Sequence, residues 1–354
     1  MKRARGEAGQ GSAAGLTSGG TLVIQTAFLG DVVLTTPLLS VLANRYGAVD
    51  VVTTPAAASL LECHPAVRDV VRYDKHGSGH GWRRFRQLGA ALRARRYARV
   101  YLPHRSLRSA GLGLWSGAPD RIGFSDSPGA FSYTKRVRRP GEGHEVDRLL
   151  ALAGDAAGDV PPVSLGLAPT DHAAAAAWLA SHGVDQDFVA LAPGSVRGTN
   201  RWPYYAELAA GLDRPVVIVG SAEDAPLADA IVAACPKAVS AAGGLTLRAS
   251  AALIQRAAVL VTNDSAPLHL ATAVGTPVVG LFGPTVPEFG FGPRRAGDVV
   301  LGHGELACRP CSSHGPQVCP LGHHRCMREL SVSMVAAAVA KVGAEESRAL
   351  RSRD

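Results

Sequence analysis

Residues 259–269, VLVTNDSAPLH, show the pattern that decides the fold. An apolar strand, Val259–Asn263, ends in polar residues, and a helix begins directly after it at about residue 265. The same order of strand and helix recurs along both halves of the chain, and such alternation implies parallel sheets. Continuous apolar runs such as Val216–Val219 are typical of strands that helices cover on both faces. We therefore predict an α/β protein with doubly wound parallel sheets.

Two series of alternating elements organise the chain. The predicted strands are Thr21–Ala27, Val49–Thr54, Asp69–Tyr73 and Arg99–Pro103, then Val189–Pro193, Pro215–Gly220, Val259–Asn263 and Val278–Phe282. The predicted helices are 31–46, 56–63, 82–97, 106–116, 171–181, 203–212, 223–234, 247–257 and 265–274. A stretch broken by proline and glycine, 161–170, separates the two series. We expect domains at 21–165 and 166–342, tails at 1–20 and 343–354, and a ligand-binding cleft at the strand ends between the domains.

The composition excludes several classes of protein. The 354 residues are 47% hydrophobic and 19% charged, which excludes a mainly disordered chain. No run of about 18 uncharged apolar residues occurs, so the sequence predicts no membrane-spanning helix. Because the first twenty residues lack the apolar core of a signal peptide, we expect a cytoplasmic protein.

Positive charge is concentrated in the first half. The net charge is +8; residues 1–160 carry 22 basic and 13 acidic side chains, whereas residues 161–354 carry 15 and 16. Segment 82–99 sets Phe85, Leu88 and Leu92 on one helical face and arginines on the others. The distribution favours an anionic membrane surface or an acidic small molecule as partner, with a solvated arginine-rich surface as the alternative. Aromatic residues that stack on bases are scarce, so we expect no nucleic-acid partner.

A Gly30-Asp31 turn follows the first predicted strand. A carboxylate in this position lies at the mouth of the predicted cleft and could act as a general base, with the Thr35 hydroxyl nearby. Aspartate also caps the N-termini of helices, so a purely structural role is the alternative. The two roles are compatible in one side chain.

Two loops of the second half suit a phosphorylated ligand. The turn Asp264-Ser265-Ala266 joins a strand to a helix, so its free N–H groups and the positive helix end face a bound anion. Loop 193–203 is glycine-rich and carries Arg197 and Arg201, which suit phosphate oxygens. Neither a GxGxxG nor a Walker motif occurs, which argues against common dinucleotide-binding and ATPase proteins.

Four cysteines fall within nineteen residues: Cys308, Cys311, Cys319 and Cys326. Their spacing predicts a structural site for zinc or iron, with free thiols or redox pairing as the alternatives. The DxD at Asp185 and Asp187 precedes a strand, on the wrong side of the sheet for a cleft. We therefore do not expect this DxD to hold a magnesium ion.

Taken together, several long motifs resemble glycosyltransferase family 9, the bacterial lipopolysaccharide heptosyltransferases, and most of all their heptosyltransferase II type. The resemblance extends from Thr21 to about Val342. The motifs that carry it are GDVVLTTPLL (30–39), HRSLRS (104–109), PGSVRGTNRWP (193–203), NDSAPLHLA (263–271), FGPT (282–285), FGFGP (289–293) and CPLGHHRCM (319–327).

This resemblance implies a GT-B architecture, in which an N-terminal acceptor domain and a C-terminal nucleotide-sugar domain, both Rossmann-like, face across a cleft. It further implies metal-independent transfer of heptose from ADP-heptose to the inner-core heptose of lipopolysaccharide, with inversion and with Asp31 as the base. The donor-binding residues that it implies are Ser195, Arg197, Asn200, Arg201, Glu223, Asp224, Asp264, Ser265, Ala266 and His269. The acceptor-binding residues are Thr35, His104, Arg105 and Arg121.

The implied acceptor is a phosphorylated, Kdo-containing lipopolysaccharide core, reached by a cytoplasmic enzyme peripheral to the inner face of the inner membrane. One residue departs from the family pattern: relatives commonly carry a diphosphate-contacting lysine where this chain has Asn200. Arg197 or Arg201 would then supply the charge, although the reach of arginine differs from that of lysine. The alternatives are a same-family transferase that acts on a protein or another glycan, and a nucleotide-sugar-binding protein with weak or no turnover.

Overall fold

The computed structural model describes residues 19–74, 81–154 and 160–351. Within these ranges the chain forms two six-stranded sheets, and every strand in them runs parallel to its neighbours. The prediction of doubly wound parallel sheets is therefore confirmed. Of the predicted tails, residues 1–18 and 352–354 lie outside the described residues.

The first sheet is built from residues 21–137. Its strands are β1 (Thr21–Ile24), β2 (Val49–Thr53), β3 (Val67–Arg72), β4 (Arg99–Leu102), β5 (Asp120–Phe124) and β6 (Lys135–Val137). The helices of this half are α1 (Leu29–Leu34), α2 (Thr36–Tyr46), α3 (Pro55–Leu61), α4 (Gly81–Ala94), α5 (Leu107–Trp115) and α6 (Glu145–Leu150). The strand order β3-β2-β1-β4-β5-β6 reverses direction between β1 and β4.

The second sheet repeats this topology. Its strands are β7 (Val189–Ala192), β8 (Val216–Ile218), β9 (Ala238–Ser240), β10 (Val259–Asn263), β11 (Val278–Phe282) and β12 (Val299–Gly302). The helices are α7 (Pro169–Ser181), α8 (Tyr205–Gly211), α9 (Ala225–Ala234), α10 (Leu247–Gln255), α11 (Ala266–Val274), α12 (Arg325–Arg328) and α13 (Val332–Arg351). The order β12-β11-β10-β7-β8-β9 reverses direction between β7 and β10. Ligands in such sheets bind at the strand ends beside these reversal points.

Burial explains which elements the sequence predicted. Every residue of β1, β2, β7, β10 and β11 is buried, in agreement with their apolar runs. The strands that the prediction missed, β5, β6, β9 and β12, lie towards the sheet edges, and their solvent-facing residues break the apolar pattern. Helix α13 continues beyond residue 342, where the predicted C-terminal tail began.

Helix α4 confirms the predicted division of its faces. Phe85 and Leu92 are buried, and Phe85 packs beside Gly111 of α5, where a side chain would leave it no room. Arg83, Arg84 and Arg86 point to solvent. The apolar face therefore covers the sheet, and the arginines form an exposed basic surface.

The two halves of the chain meet along a seam between residues 144–148 and the loop 289–292. The backbone N–H of Glu145 donates to the carbonyl of Gly290 at 2.9 Å, and His144 Nε2 contacts the carbonyl oxygen of Gly292 at 2.9 Å. The buried Arg148 donates to the carbonyl of Phe289 at 2.6 Å. This interdomain seam fixes how one half is placed against the other.

Replacement of Arg148 by Met should weaken the interdomain seam. The change keeps the volume of the side chain but leaves the carbonyls of Phe289 and Gly141 without their charged donor. Hydrogen bonds to charged groups are worth about 2 kcal/mol, so we expect the free energy of unfolding to fall by about that amount. Urea denaturation followed by circular dichroism measures it, and an unchanged midpoint would contradict the seam's role.

Candidate functional site

Two adjoining cavities lie between the carboxyl ends of the two sheets. The larger encloses about 600 Å³ and the smaller about 270 Å³. They share lining residues from both halves of the chain, namely Leu29, Ser195, Val196, Ser265 and Ala266. The predicted cleft is thus present, and it has a compartment large enough for a nucleoside next to a smaller one.

Asp31 lines the smaller cavity from the first turn of α1. Its Oδ2 accepts a hydrogen bond from the backbone N–H of Phe28 at 3.1 Å, so the carboxylate does cap this helix. The side chain is half-buried and faces the residues of the second half across the cleft. Capping and access to the cavity therefore coexist, and the capping contact holds the carboxylate in place.

Thr35, a predicted acceptor-binding residue, lies beneath the site, with only 1% of its surface exposed. Its hydroxyl donates to the carbonyl of Asp31 at 2.7 Å and accepts from Gln25 Nε2 at 2.9 Å. Thr35 therefore links the end of α1 to the residue after β1 and helps to position Asp31, while its contact with an acceptor stays a prediction.

On the opposite side, β10 leads into the turn Asp264-Ser265-Ala266; Ser265 and Ala266 line both cavities, and Asp264 lines the smaller one. Thr285 donates to Asp264 Oδ2 at 2.7 Å and keeps the carboxylate at the strand end. Burial raises the pKa of Asp264, while the hydrogen bond from Thr285 and the nearby His314 oppose this rise. Ser265 is the N-cap residue of α11, so the helix start faces the cavity as predicted.

Asn263 links the turn 264–266 to loop 193–203, and it was not among the predicted site residues. This buried side chain donates to the carbonyl of Pro193 at 2.9 Å. Its Oδ1 accepts from the backbone N–H of Trp202 at 3.1 Å and from the Tyr205 hydroxyl at 3.2 Å. Both ends of loop 193–203 are therefore anchored to β10. A polar residue that closes an otherwise apolar strand was the available signal.

The cations of loop 193–203 have different surroundings. Arg201 binds the carbonyl of Ser195 through Nε at 3.0 Å and lines the larger cavity. Arg197 is half-buried and lines the smaller cavity. Asn200 is buried, and its Nδ2 donates to the backbone carbonyl of Asp264 at 3.2 Å. The position that departs from the family pattern therefore braces the loop.

Glu223 and Asp224 both line the larger cavity, and their surroundings distinguish them. Asp224 Oδ2 accepts from the backbone N–H and the hydroxyl of Ser221, both at 2.9 Å. Its carboxylate lies so close to Gly194 that any Cβ there would overlap it. Glu223 is exposed at the rim, and its hydrogen bond with Ser221 lowers its pKa. Asp224 is thus held in place, whereas Glu223 faces the space in which a nucleoside would lie.

His269 on α11 lies where the two halves touch. A Cβ added to Gly30 of α1 would come within 2.6 Å of the His269 ring, so the glycine permits this close approach. Burial, with a smaller contribution from the charge of His144, lowers the pKa of His269 to about 3. The ring is therefore neutral near pH 7 and lines the smaller cavity as an uncharged hydrogen-bonding group.

The lowered pKa of His269 predicts a loss of stability in acid. Unfolded histidine has a pKa near 6.5, so between about pH 3 and 6.5 the unfolded chain binds a proton that the folded ring rejects. Stability is complete above about pH 6.5 and decreases as the pH falls, by about 2 kcal/mol at pH 5. In His269→Gln the difference in unfolding free energy between pH 7 and pH 5 should shrink by that amount. Equal differences in both proteins would refute the assignment.

The remaining predicted acceptor residues are dispersed. His104 follows β4 and lies 3.0 Å from the Thr26 hydroxyl, at the reversal point of the first sheet. Arg105 is exposed and pairs with Asp126 at 2.7 Å. Arg121 lies near the amino end of β5, and its guanidinium binds the carbonyls of Ser132 and Ala118. Arg121 therefore has a structural role in the first half, and its contact with the acceptor stays a prediction.

Comparison with known proteins identifies the family to which the chain belongs. A sequence model described as glycosyltransferase family 9 (heptosyltransferase) matches residues 85–319. The chain belongs to glycosyltransferase family 9. The lipopolysaccharide heptosyltransferase 2 of Escherichia coli strain K12 is 30% identical over 76% of this chain and 84% of its own. The lipooligosaccharide heptosyltransferase 2 of Haemophilus influenzae is 28% identical over the same shares.

Solved structures of family 9 proteins share the fold. A family 9 glycosyl transferase from Veillonella parvula superposes with a TM-score of 0.82 and 24% identity, over 94% of this chain and 100% of its own. The E. coli ADP-heptose heptosyltransferase II gives a TM-score of 0.76 and 24% identity, over 93% and 99%. The two sheets thus form the GT-B architecture of this glycosyltransferase family, as the motifs predicted.

The described structure gives no support to the metal site predicted at the four clustered cysteines. In residues 19–74, 81–154 and 160–351, no three Cys, His, Asp or Glu side chains are grouped so as to hold a metal ion. Burial, with the neighbouring thiols, raises the pKa of Cys326 to about 11, and Cys308 Sγ lies 4.0 Å from His323 Nε2. The cysteines are close enough to influence one another electrostatically, and nothing in the described residues supports a bound zinc or iron ion, so the metal site stays a prediction.

Proposed function

We propose that the protein transfers heptose from ADP-heptose to the inner-core heptose of lipopolysaccharide, with inversion at the anomeric carbon. The observation that carries the proposal is the smaller cavity, where Asp31 of one half faces the Asp264-Ser265-Ala266 turn of the other. A general base and an anion-binding helix start are the two groups that direct displacement of a nucleoside diphosphate requires. The names of the relatives supply the donor and the acceptor.

The larger cavity suits the nucleoside of the donor. Apolar side chains, Leu245, Leu247 and Ile254, line one part of it and can pack against a base. The carboxylate of Glu223 at the rim suits the hydroxyls of a ribose, and the start of α11 suits the diphosphate. Arg197 and Arg201 add positive charge from loop 193–203. The sugar would then extend into the smaller cavity.

Asp31 acts as the base in this scheme. Its carboxylate removes the proton from the acceptor hydroxyl while that oxygen forms the bond to the anomeric carbon. The bond from this carbon to the diphosphate oxygen breaks at the same time, and ADP leaves with the electron pair. Donors at the helix start and the arginines stabilise the charge of the departing diphosphate. His269 is neutral near pH 7 and can orient the sugar by hydrogen bonding without adding charge.

The first half, residues 21–165, is the acceptor domain in this proposal, and residues 166–342 form the donor domain. The basic surface of α4 and the neighbouring Arg105 would attract a phosphorylated, Kdo-containing acceptor. Asp31 projects from the same half, so the acceptor hydroxyl and the base would meet there.

We also propose that the enzyme works at the cytoplasmic face of the inner membrane. In the part of the chain that the structure describes, no helix is long and apolar enough to span a bilayer. Trp82 of α4 and Leu107 and Leu114 of α5 are exposed, and exposed arginines follow Trp82 along α4. Exposed apolar side chains beside basic ones favour contact with an anionic lipid surface.

The decisive test supplies purified protein with ADP-heptose and lipopolysaccharide acceptors truncated at successive inner-core residues. Mass spectrometry should find one added heptose on the acceptor that ends in a single heptose, together with free ADP. Product on a protein or on an unrelated glycan alone would favour another acceptor. ADP-heptose binding with no product over hours would favour a binding protein, against which the position of Asp31 in the cavity argues.

A further inference from the structure

The loop that carries the first three clustered cysteines, residues 303–324, also closes the smaller cavity; we call it the cysteine loop. Two hydrogen bonds fasten it to loop 193–203: Gln317 Nε2 donates to the carbonyl of Val196 at 2.9 Å, and Gln317 Oε1 accepts from the N–H of Gly198 at 3.0 Å. Farther along, His324 Nε2 lies 2.8 Å from the carbonyl of Thr199. The cysteine loop is thus tied to the proposed donor site.

His314 at the tip of this loop lines the smaller cavity with Asp31 and Asp264. Its ring lies 6.5 Å from the ring of Phe28, edge-on, and Phe28 is the residue whose N–H holds the Asp31 carboxylate. On its other side His314 is close enough to Asp264 to influence that carboxylate electrostatically. His314 therefore lines the same cavity as the proposed base and the proposed phosphate-binding turn.

Asn200 and Gly315 lie beneath His314. Asn200 is only 4% exposed, and within the described residues its Oδ1 has no hydrogen-bond partner. Gly315 covers this oxygen, and a Cβ on Gly315 would overlap it; the φ of +75° also favours glycine. Position 200 therefore holds a neutral amide under the cysteine loop, while the imidazole at position 314 is exposed at the cavity.

We propose that His314 binds the β-phosphate of the sugar nucleotide and stabilises the leaving diphosphate. The inference rests on the proposed function and deepens it, since it assigns a donor contact to the cysteine loop. As the bond between the anomeric carbon and the diphosphate oxygen breaks, the electron pair passes to the β-phosphate. A ring N–H of His314 donates to an oxygen of that phosphate throughout, and His314 gives up no proton.

The test compares ADP with AMP, which lacks the β-phosphate, by calorimetry on the full chain. Wild type should bind ADP more tightly than AMP. In His314→Ala the ratio Kd(AMP)/Kd(ADP) should fall about tenfold, because a hydrogen bond to a charged phosphate is lost. His314→Arg should keep most of the ratio, since guanidinium also binds phosphate. The control Ser312→Ala alters the same loop at an exposed residue outside the cavity lining and should keep the ratio unchanged.

Each other result has a definite meaning. An unchanged ratio in His314→Ala overturns the assignment, and so does equal weakening of ADP and AMP, which would indicate a merely structural residue. A fall in the ratio that Ser312→Ala shares overturns it too, because the loop as a whole would then be responsible. If wild type binds neither nucleotide, the proposed function fails and the assignment fails with it.

Discussion

Replacement of Asp31 by Asn should lower kcat about 10³-fold while the affinity for ADP stays the same. Asn retains an oxygen that can accept the N–H of Phe28, so the start of α1 should survive the change. What it loses is the ability to take a proton, and general bases contribute about 10²–10⁴ in rate. Initial rates with ADP-heptose and truncated lipopolysaccharide measure kcat, and calorimetry with ADP measures the affinity.

Thermal unfolding is the control for this variant, since a large drop in melting temperature would show that capping had been lost instead. Turnover by Asp31→Asn within threefold of wild type would refute the role of Asp31 as base. Thr35→Val is not a suitable comparison, because Thr35 helps to position α1 and a loss of kcat in that variant would not report on proton transfer.

Replacement of Gly166 by Ala should destabilise the fold by at least about 3 kcal/mol. Gly166 lies in the stretch that connects the two sheets, and a Cβ there would overlap the backbone carbonyl group of Cys63 at the end of α3. Backbone cannot rotate away as a side chain can, so the connection or α3 must shift. Urea denaturation of the purified variant should give a lower midpoint than that of wild type. The yield of folded protein on purification should also fall.

Gly211→Ala provides the matched control. This glycine ends α8, and nothing lies within 4 Å of the position that its Cβ would take. Because alanine favours the helix more than glycine does, we expect stability to stay the same or rise by up to about 1 kcal/mol. If Gly166→Ala were as stable as Gly211→Ala, the close approach of Gly166 to Cys63 would make no measurable contribution to stability.

The sequence predicted the parts of the fold that burial governs. Val259–Asn263 became β10 with its predicted bounds, because a strand covered on both faces is largely apolar. Lys135–Val137 escaped prediction because an edge strand of three residues carries two exposed cations. Helix 31–46 is divided at Thr35, because Pro37 has no N–H to donate to the carbonyl of Val33 and the Thr36 hydroxyl donates to that carbonyl instead, at 2.8 Å.

In the candidate site, too, residues that follow buried strands were predicted and residues on long loops were not. Asp31 and the Asp264-Ser265-Ala266 turn follow strands directly, so strand order alone brings them to the cleft. His314 belongs to a loop that follows β12 and returns across the sheet, and no local pattern predicts where such a loop ends. The sequence did not show that Arg121 lies near the amino end of β5 and binds two backbone carbonyls, because such contacts depend on the path of the neighbouring loops.

The interdomain seam has an evolutionary consequence. Phe289, Gly290 and Gly292 contribute main-chain carbonyls to it, so selection there acts on the path of the chain rather than on most side chains. Gly290 is the exception, because its φ of +101° and the close guanidinium of Arg148 exclude larger residues. Descendants of this protein could therefore diverge freely in loop chemistry and still inherit the same angle between their domains.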